Sequence, residues 1–190
     1  QIHNGEPHSS NYAYAYAKRM LDVQSRAFRD QYGCNFITVI PCNIYGPHDN
    51  FDLESSHVIP ALIRKCEEAM ESGTDFVNWG SGNPWREFIY VEDVAEISQW
   101  VLQHYDDPTP FIMSPDDEVQ ISTIAQEIAS TMGFTGNIVY DETYPDGQLK
   151  KPSDNSVLKQ LMPEFQFTSI QDGLEKSIQW YIANKKVIKS

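Results

Sequence analysis

Tyr12-Ala13-Tyr14-Ala15-Tyr16-Ala17-Lys18 is the stretch on which the reading of this chain turns. Tyr14 and Lys18 are four apart, so on an α-helix they share a face and can touch. A free tyrosine has a pKa of roughly 10 and is a poor acid or base near neutrality. A neighbouring ammonium favours the phenolate and lowers that value. A Tyr-x-x-x-Lys pair can therefore work as a general acid/base on a carbonyl and its alcohol. The same spacing also describes an ordinary amphipathic pair, and the rest of the chain decides between the two.

The chain has 190 residues, enough for one domain with a sizeable core. Hydrophobic residues make up 41% and aromatics 12%, a globular composition and not a disordered one. A net charge of -13 repels phosphate backbones and argues against nucleic acid as a partner, although a few converging basic residues could still hold a nucleotide. Cys34, Cys42 and Cys66 fit neither a zinc ribbon nor a CxxC pair, so no metal site is expected. Their odd number also speaks against a disulfide framework. No apolar run is long enough to span a bilayer and no signal peptide is visible, so no membrane is expected and a reducing cytoplasm fits best.

After the polar opening from Gln1 to Asn11, residues 11–32 read as a helix closed by Gly33, with apolar positions at Ala13, Ala17, Met20, Leu21, Val23 and Phe28. Residues 35–40 read as a strand apolar on both faces, suited to the inside of a parallel sheet. It ends at Pro41-Cys42-Asn43-Ile44-Tyr45-Gly46-Pro47, a turn by composition, and ligands of open α/β sheets sit just past such strand ends. Ser55 or Ser56 can cap the next helix, whose buried stripe is Val58, Leu62 and Ile63. His57 stands at its start: solvated by default, yet the side chain best suited to proton transfer near neutral pH. Lys65 lies two turns further on, a surface lysine if taken alone.

Residues 75–79 read as a short strand ending at Trp79, with a turn at Gly80-Ser81-Gly82-Asn83-Pro84. A strand then delivers Arg86, whose guanidinium offers phosphate a planar fork that lysine lacks. An ion pair of Arg86 with Glu87 or Glu92 is the bland alternative. Asp93 opens the following helix, where its charge suits the N-terminal dipole, and Ile97, Val101 and Leu102 point inward. Strands at 110–113 and 137–140 flank a helix at 122–132, and Pro145-Asp146-Gly147 marks a turn. A helix at 169–183 carries Ile170, Leu174, Ile178 and Ile182 on one stripe.

The run Trp85-Arg86-Glu87-Phe88-Ile89-Tyr90-Val91-Glu92-Asp93-Val94-Ala95, together with the Tyr/Lys helix, resembles the extended short-chain dehydrogenase/reductases. Gly46-Pro47-His48-Asp49-Asn50-Phe51 followed by Ser56-His57-Val58-Ile59-Pro60 is similar, within them, to the GDP-L-fucose synthase family. The resemblance covers essentially the whole chain. It implies an α/β fold: the C-terminal part of an NAD(P)-binding Rossmann-type reductase, parallel-sheet strands with helices, plus a small α/β substrate-binding domain. Residues 1–50 would be the remaining second half of the Rossmann-type domain. Residues 51–190 would be mostly substrate domain, with 75–110 returning partly to the sheet.

The same resemblance implies Tyr14, Lys18 and His57 as catalytic residues, with His57 as the acid of two epimerisation steps. It implies NADP as cofactor, touched by Lys18, Pro41, Cys42, Asn43, Ile44 and His57. It implies a GDP-sugar substrate, held by Lys65, Trp79, Arg86 and Asp146, with Lys150 or Lys151 as weaker candidates. His48 reads as loop-orienting. The implied reaction is 3,5-epimerisation and then NADPH-dependent 4-reduction of GDP-4-keto-6-deoxy-D-mannose, in an enzyme that forms a homodimer. The family's catalytic cysteine and serine match positions before this chain, so none of the three cysteines is cast in that role.

No strand is followed by G-x-G-x-x-G, and Gly80-Ser81-Gly82 is the nearest approach. The chain therefore reads as the second half of a longer enzyme, expected to bind NADP weakly and to turn over nothing alone. Another nucleotide-sugar epimerase or dehydratase shares Tyr14, Lys18 and Arg86 but does not demand His57. A non-catalytic binding or assembly module is the alternative of a different class. The enzyme reading expects Tyr14 and His57 to face one cleft.

Overall fold

The computed structural model describes residues 2–188; Gln1 of the polar opening lies outside the described residues. A 3-10 turn at Ser9–Asn11 leads into α1, Tyr12–Tyr32. The helix stops where Gly33 turns left-handed, φ 66°, and donates its N–H to the Arg29 carbonyl. The elements then run β1 (Val39–Pro41), β2 (Asn43–Tyr45), α2 (Val58–Ser72), β3 (Phe76–Trp79), β4 (Trp85–Arg86), β5 (Phe88–Tyr90) and α3 (Val91–His104). After these come β6 (Phe111–Met113), β7 (Val119–Gln120), α4 (Ile121–Met132), β8 (Ile138–Asp141), α5 (Ser156–Leu161) and α6 (Ile170–Ile188).

Among the described residues three of the four strand pairs are parallel, β1 with β6, β2 with β5, and β3 with β8, while β4 and β7 run antiparallel. Each parallel pair is separated in sequence by at least one helix, as a parallel crossover requires. The fold is thus α/β, parallel strands alternating with helices.

Two hydrophobic clusters hold it together. One joins α2, α4 and α6 over β2, β3 and β5, with Ile63, Phe76, Ile124, Ile128, Leu174 and Tyr181 fully enclosed. The other gathers Ile97 and Val101 of α3, Phe111 and Met113 of β6, Ile89 of β5 and Leu158 of α5. Each such side chain contributes roughly 1.5–3 kcal/mol by leaving water.

Polar ties lock the layers. Buried Glu67 on α2 accepts from the Tyr181 hydroxyl (2.6 Å) and the Lys185 ammonium (2.7 Å) of α6. Buried Asp93 accepts from the Thr168 N–H (2.9 Å) and hydroxyl (2.7 Å), joining α3 to the approach to α6. Asp93 therefore serves the fold as well as the start of its helix.

Several expected features differ. Residues 35–38 are not strand; the ladder exists only where β6, three residues long, runs alongside. Asn43–Tyr45, expected as turn, is a strand because Phe88–Tyr90 offers it a parallel partner. The apolar positions of α1 lie exposed, Met20 and Leu21 at 53% each. That helix is held instead through Asp22, bound by His3 (2.6 Å) and Arg26, and through Arg29 on Asp106 (2.8 Å). The expected stripes of α2, α3 and α6 are buried at Leu62, Ile63, Ile97, Val101, Leu174 and Ile178, but Val58, Leu102 and Ile182 are exposed, and Ile59 and Tyr181 also fill the core.

Replacing Asp93 by alanine leaves the Thr168 N–H and hydroxyl without their acceptor. Urea unfolding followed by circular dichroism should show a loss of about 1–3 kcal/mol, the cost of stranding buried donors. A midpoint unchanged from the parent would show that this tie carries no stability.

Candidate active site

Helix α2 begins at Val58, with His57 at its N-cap position in extended conformation, φ -77° and ψ 174°. No side chain caps it, so Ser55 and Ser56 do not have the expected role. Asp52 recruits Ser55 instead: its Oδ1 accepts from the Ser55 N–H and hydroxyl and from the Glu54 N–H, each at 3.0 Å. The Ser55 hydroxyl and the Glu54 N–H hold that carboxyl below its ordinary pKa. The imidazole of His57 is left exposed at the positive end of the helix dipole.

A cavity of about 60 Å³ opens at this helix start. Asn43 and Ile44 of β2, His57 and Val58 of α2, Arg86 of β4 and Phe88 of β5 line it. The β2–β5 pairing brings them together, with Asn43 opposite Phe88. The Asn43 amide also donates to the Glu87 carbonyl at 2.7 Å, next to Arg86.

Arg86 is part-buried and donates from Nη1 to the carbonyls of Trp85 (2.6 Å) and Gln148 (2.8 Å). Burial lowers its pKa, while Asp146 and Glu118 nearby oppose that shift. The carboxylates considered as its partners are occupied elsewhere: Glu87 accepts from Ser153, and Glu92 faces Lys176 at 3.7 Å. Asp49, before His57, has its pKa raised by burial, with the Asn50 N–H and His57 pulling the other way. His48 adopts φ 67° and lays its ring 4.7 Å from that of Trp180, which fixes the turn of this loop as its reading implied.

Further along α2, the Lys65 ammonium sits 3.7 Å from the centre of the Trp79 ring. Burial lowers the Lys65 pKa. Trp79 also stacks on Tyr144, centroids 4.5 Å apart at 12°. Tyr144 carries no signal in the sequence beyond its place beside Pro145-Asp146-Gly147. Asp146 accepts from the Ser81 N–H (3.0 Å) and hydroxyl (2.5 Å), so it ties its loop to the Gly80–Gly82 turn. Lys150 pairs with Glu118 at 3.2 Å and lies over Trp85, while Lys151 is exposed.

Tyr14 and Lys18 do share a helix face, the ammonium 5.6 Å from the centre of the phenol ring. Tyr14 is 60% exposed, and neither residue is among those lining the His57 cavity. The expected common cleft is therefore not formed by that cavity. In the first half of α1 Arg19 donates to the Gly5 carbonyl at 2.9 Å, and the Tyr14 side chain is mostly exposed.

The residues present suit one end of a dinucleotide. The part-exposed Ile44, beside Asn43, offers an apolar surface and an amide edge fit for a flat carboxamide ring. Cys42 and Pro41 do not line the cavity; the Cys42 thiol is partly buried among the residues under β1 and its N–H donates to the Met113 carbonyl.

Parallel strands, a Tyr/Lys helix and a His/Arg cavity at the head of α2 define a Rossmann-like α/β protein of the extended reductase class. More narrowly, the chain belongs to the NAD dependent epimerase/dehydratase family, which matches residues 1–113. It is 48% identical over 185 residues to the GDP-L-fucose synthase of Dictyostelium discoideum, covering 96% of this chain and 58% of that protein. It is 44% identical over 192 residues to a probable GDP-L-fucose synthase of Drosophila melanogaster, covering 96% and 60%. Among solved structures it superposes, with a TM-score of 0.95 and 42% identity, on a GDP-L-fucose synthetase from Naegleria fowleri bound to NADP, covering 99% of this chain and 61% of that one. The chain thus spans about three fifths of the length of these relatives.

Burial pushes the Cys42 thiol up to about 11, and Cys66 likewise. At pH 8 both are neutral thiols, and iodoacetamide, which needs thiolate, should label them slowly, with rates climbing as pH approaches that value. Mass spectrometry showing full labelling of Cys42 within minutes at pH 8 would contradict this environment.

Proposed function

We propose that this protein serves the synthesis of GDP-L-fucose, by 3,5-epimerisation and then NADPH-dependent 4-reduction of GDP-4-keto-6-deoxy-D-mannose. The observation that carries the reading is the convergence of His57 and Arg86 on one cavity with Asn43 and Ile44. The names of the relatives from Dictyostelium, Drosophila and Naegleria support it.

In this reading His57 is the acid that returns protons at C3 and C5, beside the C4 ketone. Its place at a helix start, exposed and not engaged in capping, supports that task. Arg86 grips the diphosphate; its anchoring through two carbonyls orients the guanidinium without a carboxylate bond competing for it. Lys65 and Trp79 hold the nucleoside end, and Asp146 the sugar nucleotide. Tyr14 protonates the oxygen at C4, and Lys18 favours the phenolate and binds the cofactor's ribose. Pro41, Cys42, Asn43 and Ile44, with His57, lie along the nicotinamide end. The cofactor's contribution is hydride to C4.

The remaining parts of the proposal rest on separate features. The division into a sheet region at 1–50, rejoined by part of 75–110, and a mostly substrate region at 51–190 belongs to the same proposal; Ile37 and Cys42 packing with α3 and β6 supports the return of 75–110 to the sheet, although Tyr45 packs with α2, α4 and α6. The exposed face of α1, with Tyr12, Tyr16 and Met20, supports a homodimer. The charge of -13 speaks against nucleic acid. Three free cysteines suit a reducing cytoplasm, and among the described residues no helix is long and apolar enough to cross a membrane.

In an active preparation, His57→Gln should abolish inversion at C3 and C5, read by NMR of the reduced product, while part of the ketone reduction survives. A simple 4-epimerase would be little affected. Tyr14→Phe should lower reduction by roughly 10²–10⁴-fold. Unchanged inversion in the His57 variant would remove the epimerase assignment.

A further inference from the structure

The segment Asp146-Gly147-Gln148-Leu149 belongs to no helix or strand, yet each of its residues meets β4 or the turn that leads into it. The Leu149 carbonyl accepts from the Trp85 N–H at 2.8 Å. The Gln148 carbonyl accepts from Arg86 Nη1 at 2.8 Å. Gly147 lies against the other amino nitrogen of the same side chain, since a Cβ there would stand 3.3 Å from Nη2. Asp146 accepts with both oxygens from Ser81, at 3.0 Å from the N–H and 2.5 Å from the hydroxyl.

These contacts bear on one flexible side chain. An arginine on a strand of two residues can swing through many rotamers unless something holds its planar end. Here Nη1 is bound twice, to the carbonyls of Trp85 (2.6 Å) and Gln148. Among the described residues, Nη2 and Nε donate to no acceptor, and together they form the edge that can give a phosphate two parallel N–H bonds.

Gly147 is not among the glycines with positive φ. Its backbone is one that other residues adopt, so the group that excludes a side chain there is the guanidinium itself. The anchor at Asp146 acts at short range. Two residues of chain reach at most about 7 Å, so fixing Asp146 on Ser81 limits where the Gln148 carbonyl can lie.

We infer that residues 146–149 form a cradle that aims the Arg86 fork, and that Ser81 and Gly147 are positioning residues for its grip on a diphosphate. Ser81 holds the Asp146 end of the cradle, and Gly147 leaves room for Nη2. The inference rests on the reading of Arg86 given above and adds the residues that act through it. A site group must be held to within about 0.5 Å to work well, which a surface arginine does not achieve alone.

Two measurements on the 190-residue chain test this. Calorimetric titration with GDP and with guanosine separates the diphosphate from the rest of the ligand. NMR of the guanidinium N–H groups, with Arg86 assigned by its loss in Arg86→Gln, reports how firmly the fork is held without any ligand. Gly147→Ala should lower GDP affinity roughly tenfold and Ser81→Ala, which keeps the N–H bond, roughly threefold, with guanosine unchanged in both. Ser81→Thr keeps the hydroxyl and should bind GDP like the parent. The Arg86 signals, separate in the parent, should broaden in Gly147→Ala and Ser81→Ala. Thermal melts confirm that each variant is folded. Parent-like GDP affinity in both alanine variants, an equal fall for guanosine, or no rescue by threonine would overturn the cradle. Arg86→Gln binding GDP as well as the parent, or a parent that does not bind GDP, would overturn the diphosphate reading of Arg86. The guanidinium signals then judge the cradle by themselves: broadening supports it, and unchanged signals overturn it.

Discussion

The short parallel ladder between Asn43–Tyr45 and Phe88–Tyr90 is the constraint on which the site depends. It is only three residues long, too little to hold by backbone bonds alone. Its stability comes from Tyr45, 2% exposed, whose ring meets Phe88 at 6.2 Å and Tyr90 at 5.7 Å, both edge-on. Helix α6 closes over the same ring at Gly173, where an added Cβ would lie 2.0 Å from the Tyr45 hydroxyl oxygen. Gly46, at φ 150°, lets the chain leave β2 against Val91, whose Cγ1 would be 2.5 Å from any Cβ there. Burial and the nearby Asp93 push the Tyr45 pKa up, so the hydroxyl stays neutral inside this core. Because this one aromatic residue is locked, Asn43 and Ile44 just before it are presented beside Arg86.

To bind the anion proposed for it, a chain with a charge of -13 must make the local field differ from the global one. Screening makes this possible: at physiological salt, exposed charges more than about 8 Å away are largely shielded. What counts is the part-buried set, Arg86 and Lys65, together with the N-terminal end of α2. Burial lowers the pKa of both cations, which is the cost of removing them from water. Nearby carboxylates offset part of it, Asp146 and Glu118 for Arg86 and Glu68 for Lys65. Arg86 makes its bonds to carbonyls, which are dipoles, and so retains nearly a full charge toward the cavity.

Much of this was legible in the sequence, for reasons that differ by element. Helix α1 was read to within a residue because Gly33 is a left-handed stop that local rules capture. His57 and Arg86, each read separately as a site residue, line one cavity, whereas Tyr14, read as facing the same cleft as His57, does not line it. What escaped reading is what depends on distant partners. Asn43–Tyr45 sits between Pro41 and Gly46-Pro47 and has no strand signal of its own until Phe88–Tyr90 lies alongside. The stripes of α2, α3 and α6 were read correctly except at one edge each, Val58, Leu102 and Ile182, because a helical pattern gives the apolar side but not which edge the neighbours cover. Six-residue α5 is too short to show a period. Glu87 with Ser153, Asp93 with Thr168 and Trp79 with Tyr144 are each more than 60 residues apart and leave no local trace.

The loop at 142–150 shows how a site residue and a fold residue can be the same one. Asp146 was read as a contact to the sugar nucleotide, and here both of its oxygens accept from Ser81. Each such bond contributes a net of roughly 0.5–1.5 kcal/mol, more for a charged acceptor. Together with the Arg86 bond to the Gln148 carbonyl, they pin the loop at both ends of Pro145-Asp146-Gly147. Gly147 gives the loop its close approach, since a Cβ there would stand 3.3 Å from the Arg86 guanidinium. Releasing Asp146 to bind a ligand with both oxygens would therefore free Tyr144 and unpin the back of Trp79. A carboxylate has acceptor sites to spare, so sharing costs less than releasing. In the proposed reading, Asp146 would keep Ser81 while it meets a ligand hydroxyl, so that its tether and its contact reinforce one geometry.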